Sequence, residues 1–255
     1  MTPLLLVLLA GLGLIVGSFL NVCIARLPAG ESVVFPGSRC PSCRAAIAWY
    51  DNIPVLSYVL LGGRCRRCRA SIGVQYPLVE LATAVAFVLQ GLLLAPDLPL
   101  LTVRLVFTAG LIVLFGTDLE VQRLPNVLTL PGVVLGLVAS VWLPPGLVSS
   151  VVGAALGAGL LLAIRWAWKR ATGVEGMGLG DVKMLAMIGA FLGWRQVWAV
   201  LFLASLTGAL AGGVLATVGA RSLQSRLPFG TFLAVAAFVA SLVGEEVIDW
   251  YLALY

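Results

Sequence analysis

Gly176-Met177-Gly178-Leu179-Gly180-Asp181-Val182-Lys183 is a glycine-rich turn that carries a carboxylate. It follows the basic pair Lys169-Arg170 and runs straight into a segment that is almost wholly apolar. A charged side chain at the edge of a membrane segment is costly, so it calls for a function or a partner. The glycines lack a Cβ and let backbone come close to whatever lies against them.

Outward from this stretch the chain is apolar in both directions. Of 255 residues, 61% are hydrophobic and 11% charged, with a mean hydropathy of +1.08, whereas a soluble domain carries about 25% charged residues. Several runs can cross a hydrocarbon core of about 30 Å at about 1.5 Å per residue. The fold expected is an all-α polytopic membrane protein with about eight transmembrane segments and a small zinc-stapled cytoplasmic loop domain. The segments fall near 4–25, 77–96, 100–117, 126–143, 148–168, 182–193, 196–218 and 231–252. The sixth is short for a full crossing and needs a thinned bilayer or cover from other helices. The run Leu4–Ile24 lacks the basic n-region of a cleaved signal peptide and reads as a retained helix.

The net charge of +5 is a topology signal rather than a nucleic-acid signal. Seven of the sixteen Lys and Arg lie between Arg26 and Arg69, which puts that loop on the cytoplasmic side and both termini outside. A second basic loop, 219–230, carries Arg221 and Arg226. There is no solenoid repeat. Gly153, Gly157 and Gly159 have the small-residue spacing of close helix packing. Gly11, Gly13 and Gly17 follow no strand, so they are not a dinucleotide turn.

Cys40-Pro-Ser-Cys43 and Cys65-Arg-Arg-Cys68 are two CxxC pairs, a spacing that suits a tetrahedral zinc site built from four cysteines. Two disulfides or four free thiols are the other reading, but a reducing cytoplasm favours a metal. A closed four-cysteine site supports folding rather than catalysis. Cys23, in the first helix, reads as a small buried hydrophobe.

The chain has no histidine, which excludes HExxH metalloproteases and Ser-His hydrolases. A Ser-Lys pair with Lys169 or Lys183 stays formally open, and carboxylate chemistry is the best remaining option. Asp118 and Asp181 belong to the same membrane face in this topology. Two close carboxylates do not both ionise easily, so one can take a proton from water while the other polarises a carbonyl. The plainer readings are that Asp181 caps a helix beginning at Val182 and that Asp118 is an ordinary helix-end residue beside Glu120 and Arg123. Glu80 is a third charged candidate, for a substrate group or for a buried ion pair with the loop. Lys183 can orient Asp181, contact substrate or simply snorkel.

In these residues the chain resembles the type IV prepilin peptidases, membrane aspartic proteases of the GxGD type. The resemblance runs in order through Gly17-Ser18-Phe19-Leu20-Asn21-Val22, Arg26-Leu27-Pro28, the paired CxxC loop and Tyr76-Pro77-Leu78-Val79-Glu80. It continues through Asp118, Leu124-Pro125-Asn126, Leu128-Thr129-Leu130-Pro131, the opening stretch and Leu227-Pro228-Phe229-Gly230. It implies that Asp118 and Asp181 are the catalytic pair. The residues themselves make Gly178, Gly180, Lys183 and Glu80 the candidates for binding substrate and Cys40, Cys43, Cys65 and Cys68 the candidates for binding structural Zn2+. The chain then divides into a first transmembrane helix (1–25), a zinc-binding cysteine loop domain (26–76) and a membrane aspartic peptidase core (77–255). One departure is Thr231, where many relatives have proline; it is expected to lie away from both aspartates.

The activity implied is removal of the basic leader from prepilins or pseudopilins, after a glycine, with the active site facing the cytoplasm from the plasma (inner) membrane. Methylation of the new N-terminal amine by S-adenosylmethionine is implied by the resemblance alone, since no glycine fingerprint for that cofactor is present. The partners are then pilus or secretion prepilins and membrane lipid, with no nucleic acid. Two readings from other classes use the same residues: a transporter relaying protons through Asp118 and Asp181, and an assembly factor that holds pilins without cutting them.

Overall fold

The computed structural model describes residues 3–95, 97–217 and 228–253. Arg221, Arg226 and Leu227 lie outside the described residues. The chain divides into two compact units, Met1–Val113 and Leu114–Tyr255.

In the first unit α1 (Pro3–Arg26) packs along α3 (Gln75–Leu94), and the cysteine loop joins them, with the short α-helix α2 (Leu56–Leu60) and two 3-10 turns, Leu27–Ala29 and Trp49–Asp51, inside it. The close approach depends on α1 glycines: a Cβ on Gly17 would stand 2.7 Å from the Glu80 Cα and 3.0 Å from Thr83 Oγ1. Gly13 abuts the Ala84 backbone in the same way. These are packing glycines, whose missing Cβ lets dispersion contacts form between backbones in the absence of a strong hydrophobic drive. Asn21 is buried in this seam; its Nδ2 donates to Tyr76 O at 3.1 Å and to Gly17 O at 3.2 Å. Cys23 is buried as a small apolar group.

Helix α4 (Leu98–Val121) begins in the first unit and ends in the second. Asp118 therefore stands within a helix, not in a polar connection after one. In the second unit α5 (Asn126–Ala139), α6 (Leu147–Thr172), α8 (Trp194–Thr217) and α9 (Phe229–Leu252) all pack against α7 (Leu179–Leu192). Helix α7 is buried on nearly every side from Val182 to Leu192, as its apolar sequence without a polar face requires. The seam with α6 is made by Ser150, Gly153, Gly157 and Leu161; a Cβ on Gly157 would stand 2.6 Å from Leu185 O. Gly159 faces open space and takes no part. On the α5 side, a Cβ on Gly136 would stand 2.9 Å from the Ala190 carbonyl carbon.

Six described helices are long and apolar enough to cross a membrane: α1, α3, α4, α6, α8 and α9. The expectation of about eight counted α5 and α7 as well. Each has 14 residues, about 21 Å of helix. Helix α7 needs no greater length, because helices rather than lipid surround it.

Candidate active site

Asp118 is 5% exposed in the last turn of α4. Its Oδ2 accepts a hydrogen bond from the Thr231 N–H at 3.0 Å. Pro228 caps α9 and Thr231 lies in that helix's first turn, where backbone N–H groups have no partner within the helix. The carboxylate thus serves a helix N-terminus, whose end charge complements an anion. Gly230 makes room for it, since a Cβ there would stand 2.8 Å from Oδ2. The expectation that Thr231 lies away from both aspartates is overturned: it touches one of them through its backbone.

Asp181 lies in the first turn of α7, half-buried and ahead of the apolar segment 182–193. The helix begins at Leu179 with Gly178 as its N-cap, earlier than the sequence suggests, so Asp181 is not itself the capping residue. Its carboxylate reaches back to the Gly178 N–H, the reciprocal half of a capping box. Burial, and after it the charge of Asp118, push the Asp181 carboxyl up to about 7 against the opposing Gly178 hydrogen bond. Leu124 ties the two places together: a Cβ on Gly180 would meet it at 3.0 Å and one on Gly230 at 3.2 Å. The end of α4 and the starts of α7 and α9 therefore gather two carboxylates around one leucine. Gly180 is filled by Leu124, whereas Gly178 is exposed with Asp181 Oδ2 as its neighbour.

The glycine-rich turn is held from α6. Arg165 is 16% exposed and pairs with Glu175 at 2.5 Å, and it also donates to the Met177 carbonyl. Lys169 pairs with Glu175 at 3.0 Å. Between them Gly176 lies on the Trp168 ring, where a Cβ would stand 2.6 Å from Cδ1. Residues 165, 168 and 169 share one helix face, so a single turn of α6 fixes the segment leading to Asp181. On the other side Lys183 Nζ donates to Asn126 Oδ1 at 2.8 Å, which joins the starts of α7 and α5. Lys183 is thus a linker between helices, and the roles of Arg165, Trp168, Asn126 and Leu124 had no signal in sequence beyond proximity to a recognised motif.

The first unit holds the other candidate residues. The Sγ atoms of Cys40, Cys43, Cys65 and Cys68 all lie within 4.8 Å of one another, and Cys40 and Cys68 stand 3.8 Å apart. Tetrahedral zinc with Zn–S of about 2.3 Å requires S···S of about 3.8 Å, so the donor set fits a metal ion. The two halves repeat: Cys40 N–H bonds Ala45 O and Arg44 N–H bonds Cys40 O, while Cys65 N–H bonds Ala70 O and Arg69 N–H bonds Cys65 O. Short bridges Arg39–Ala46 and Arg64–Ser71 close each turn. Arg44 and Arg69 both take a positive φ, 57° and 59°. The matching turns are legible as Cys-Pro-Ser-Cys-Arg-Ala-Ala-Ile and Cys-Arg-Arg-Cys-Arg-Ala-Ser-Ile, a short repeat easily missed beside the CxxC spacing. Backbone N–H groups of Cys43 and Ser42 hold the Cys40 thiol down, to about 6, and those of Cys68 and Arg67 lower Cys65; such thiols are ready metal ligands.

Glu80 is buried in α3, and its Oε2 accepts the Val55 N–H at 2.7 Å. Its partner is loop backbone rather than the loop arginine that an ion pair would need.

Two families match the chain in series. The Bacterial Peptidase A24 N-terminal domain matches residues 12–93 and the Type IV leader peptidase family matches residues 105–213. A protein of Pseudomonas putida is 38% identical, covering 92% of this chain and 90% of its own. One of Aeromonas hydrophila is 40% identical over 94% and 91%, and one of Klebsiella pneumoniae 44% over 76% and 87%. Each carries the name prepilin leader peptidase/N-methyltransferase. No solved structure matches.

Proposed function

The chain belongs to the type IV leader peptidase family, and from that premise we propose that it is a membrane endopeptidase that removes leader peptides from prepilins and N-methylates the new N-terminus. The observation that carries the peptidase half is the meeting of Asp118 and Asp181 at the ends of α4, α7 and α9.

Asp118 and Asp181 act as the catalytic pair. Asp118, at the N-terminus of α9, is the charged member and takes a proton from water. Asp181, pushed up to about 7, keeps its proton and donates a hydrogen bond to the peptide carbonyl. The resulting hydroxide adds to the carbonyl carbon. The proton taken by Asp118 then passes to the leaving amine as the carbon–nitrogen bond breaks. The substrate must be extended at the cut, since a helical peptide bond is shielded, and exposed Gly178 offers backbone for such a strand. Lys183 and Gly180 support this edge through Asn126 and Leu124, and Glu80 serves the methylating half.

The four cysteines hold structural zinc. S-adenosylmethionine supplies the methyl group when bound. The enzyme lies in the plasma (inner) membrane with its aspartates toward the cytoplasm, an orientation supported by the basic loop from Arg26 to Arg69. Eight segments then lie in the membrane, the sixth beginning after Asp181, with the short helix α7 covered by its neighbours and the short helix α5 turning Val127, Leu130, Val134, Leu135 and Val138 outward. The transporter reading has no support among the relatives.

The test is cleavage of a prepilin in detergent by Asp118→Asn and Asp181→Asn, each of which should be inactive. Full cleavage by either removes the dyad. Labelled S-adenosylmethionine with mature pilin tests the second half; absence of transfer while cleavage proceeds removes it.

A further inference from the structure

A cavity of about 440 Å³ in the first unit is walled by α1, the first turns of α3 and the loop between them. It sorts the side chains of α2 into two sets. Ser57 and Tyr58 face it, as Glu80 does. Leu56, Val59 and Leu60 do not line it; they stand 51–75% exposed. These three positions share one helix face. Helix α2 therefore turns its polar Ser57 inward and its apolar face outward, the reverse of a helix on the surface of a soluble domain. Trp49, 81% exposed, lies in the 3-10 turn that packs on α2.

The same helix is pinned at membrane depth. Glu80 is in the second turn of α3, which is long and apolar enough to cross a membrane. Its Oε2 accepts the N–H of Val55, the residue that precedes α2, at 2.7 Å. The start of α2 is thus tied beside a turn of the spanning helix rather than beyond its end. The other end of the loop is held in a similar way. Arg26, the last residue of α1, donates from Nη1 to Ser32 O at 3.0 Å and to Pro36 O at 2.8 Å. Between these points Ser32 Oγ accepts the Val34 and Phe35 N–H groups. The side chains of Val34 and Phe35 are left exposed as a second apolar tip.

Charge complements this apolar surface. Between Arg26 and Tyr76 the chain carries seven arginines and two acids, Glu31 and Asp51. Asp51 is taken by Arg66 at 2.6 Å. Arg44, Arg64 and Arg69 are exposed, do not line the cavity and form no ion pair among the described residues. Four thiolates on a zinc ion leave about two negative charges, which does not cancel the positive surplus.

We propose that α2 is an interfacial helix that docks the cysteine loop on the anionic lipid surface of the leaflet from which the loop emerges. Leu56, Val59, Leu60 and Trp49 enter the boundary between headgroups and acyl chains, where apolar helix faces and tryptophan are favoured. Arg44, Arg64 and Arg69 meet the anionic headgroups around them. A protein occupant is the poorer fit, because the basic leader of a prepilin would be repelled by the same arginines.

The purified full chain, reconstituted into vesicles, tests this. The emission of Trp49 is isolated by difference from Trp49→Phe, and the phosphatidylcholine is brominated near the top of its acyl chains as a quencher. Trp49 should be quenched, and at least about twofold more when about 30% of the lipid is phosphatidylglycerol. Val59→Asp with Leu60→Asp should abolish the quenching. Arg44→Gln with Arg64→Gln should remove its dependence on phosphatidylglycerol. All four positions are exposed, so metal content and the unfolding midpoint in detergent should match those of the unaltered chain. Trp49 emission in the unaltered chain that ignores the brominated lipid overturns the docking, whatever the variants do. Equal quenching with and without phosphatidylglycerol overturns it as well. Shielding of Trp49 that appears only when prepilin is added also overturns it and assigns the surface to the substrate.

Discussion

Thr231 and Asp118 are joined by a hydrogen bond of 3.0 Å between a backbone N–H and a carboxylate 113 positions away. A hydrogen bond to a charged group contributes about 1.5–3 kcal/mol, and proline cannot make it. Thr231→Pro removes this donor but leaves the Gly230 N–H to the Asp118 carboxylate. The turnover number for prepilin cleavage is then expected to fall by less than about tenfold, the equivalent of about 1.4 kcal/mol, with KM unchanged, in keeping with the proline of many relatives at this place. Thr231→Val keeps the N–H and should cleave as wild type. Gly230→Ala puts a methyl 2.8 Å from Asp118 Oδ2 and should cost at least about a hundredfold in turnover.

Cleavage should decline as pH rises through about 7. The Asp181 carboxyl stands near that value in the folded chain, above its ordinary value of 3.8, so the proton it contributes is lost there. The sign for stability is the same. As pH rises from about 4 the unfolded chain releases this proton first, and folding becomes less favourable until about 7, beyond which the effect is complete. A pH series of cleavage rate and unfolding midpoint checks both, and Asp181→Asn should flatten this part of the stability profile.

Arg165 should govern turnover without touching substrate. Arg165→Met frees Met177 O and leaves Glu175 to Lys169 alone, and turnover should fall about tenfold or more. Arg165→Lys, with one compact donor group in place of a fork, should recover part of that loss. Steady-state kinetics with an unfolding curve separates displacement of Asp181 from general destabilisation.

The cysteine loop should carry one zinc per chain. Cys40→Ser or a strong chelator should remove it and lower the unfolding midpoint, because metal binding is coupled to folding of such a loop. Elemental analysis beside a thermal melt is the check.

Two glycines of α6 should respond in opposite ways. Gly157→Leu drives a side chain into the Leu185 backbone and should destabilise the fold by about 1–3 kcal/mol. Gly159→Leu, pointing into open space, should leave stability unchanged. Thermal melts of the two variants side by side give the comparison.

Much of this was legible along the chain. The CxxC pairs announce their four-thiol cluster because ligand spacing is local, and the GxGD turn announces its carboxylate because three glycines beside one acid are rare in an apolar run. Gly153 and Gly157 were readable as packing glycines, but Gly159 was not separable from them, since the spacing leaves open which face of the helix meets a neighbour. Counting segments was less secure: length and hydropathy describe α7 as a marginal crossing, whereas its brevity follows from four helices surrounding it.

The sequence by itself determined an all-helical membrane chain, a four-thiol cluster and an acid in a glycine-rich turn, because composition and near-neighbour spacing are enough for each. Only the tertiary structure decided that Thr231 serves Asp118, that Leu124 lies between Gly180 and Gly230, that one turn of α6 clamps the approach to Asp181, and that Glu80 faces a cavity. The physical reason is common to all four. Backbone donors carry no mark of their use in the identity of the residue, and contacts between distant helices are set by which faces pack, a choice made by the whole chain at once.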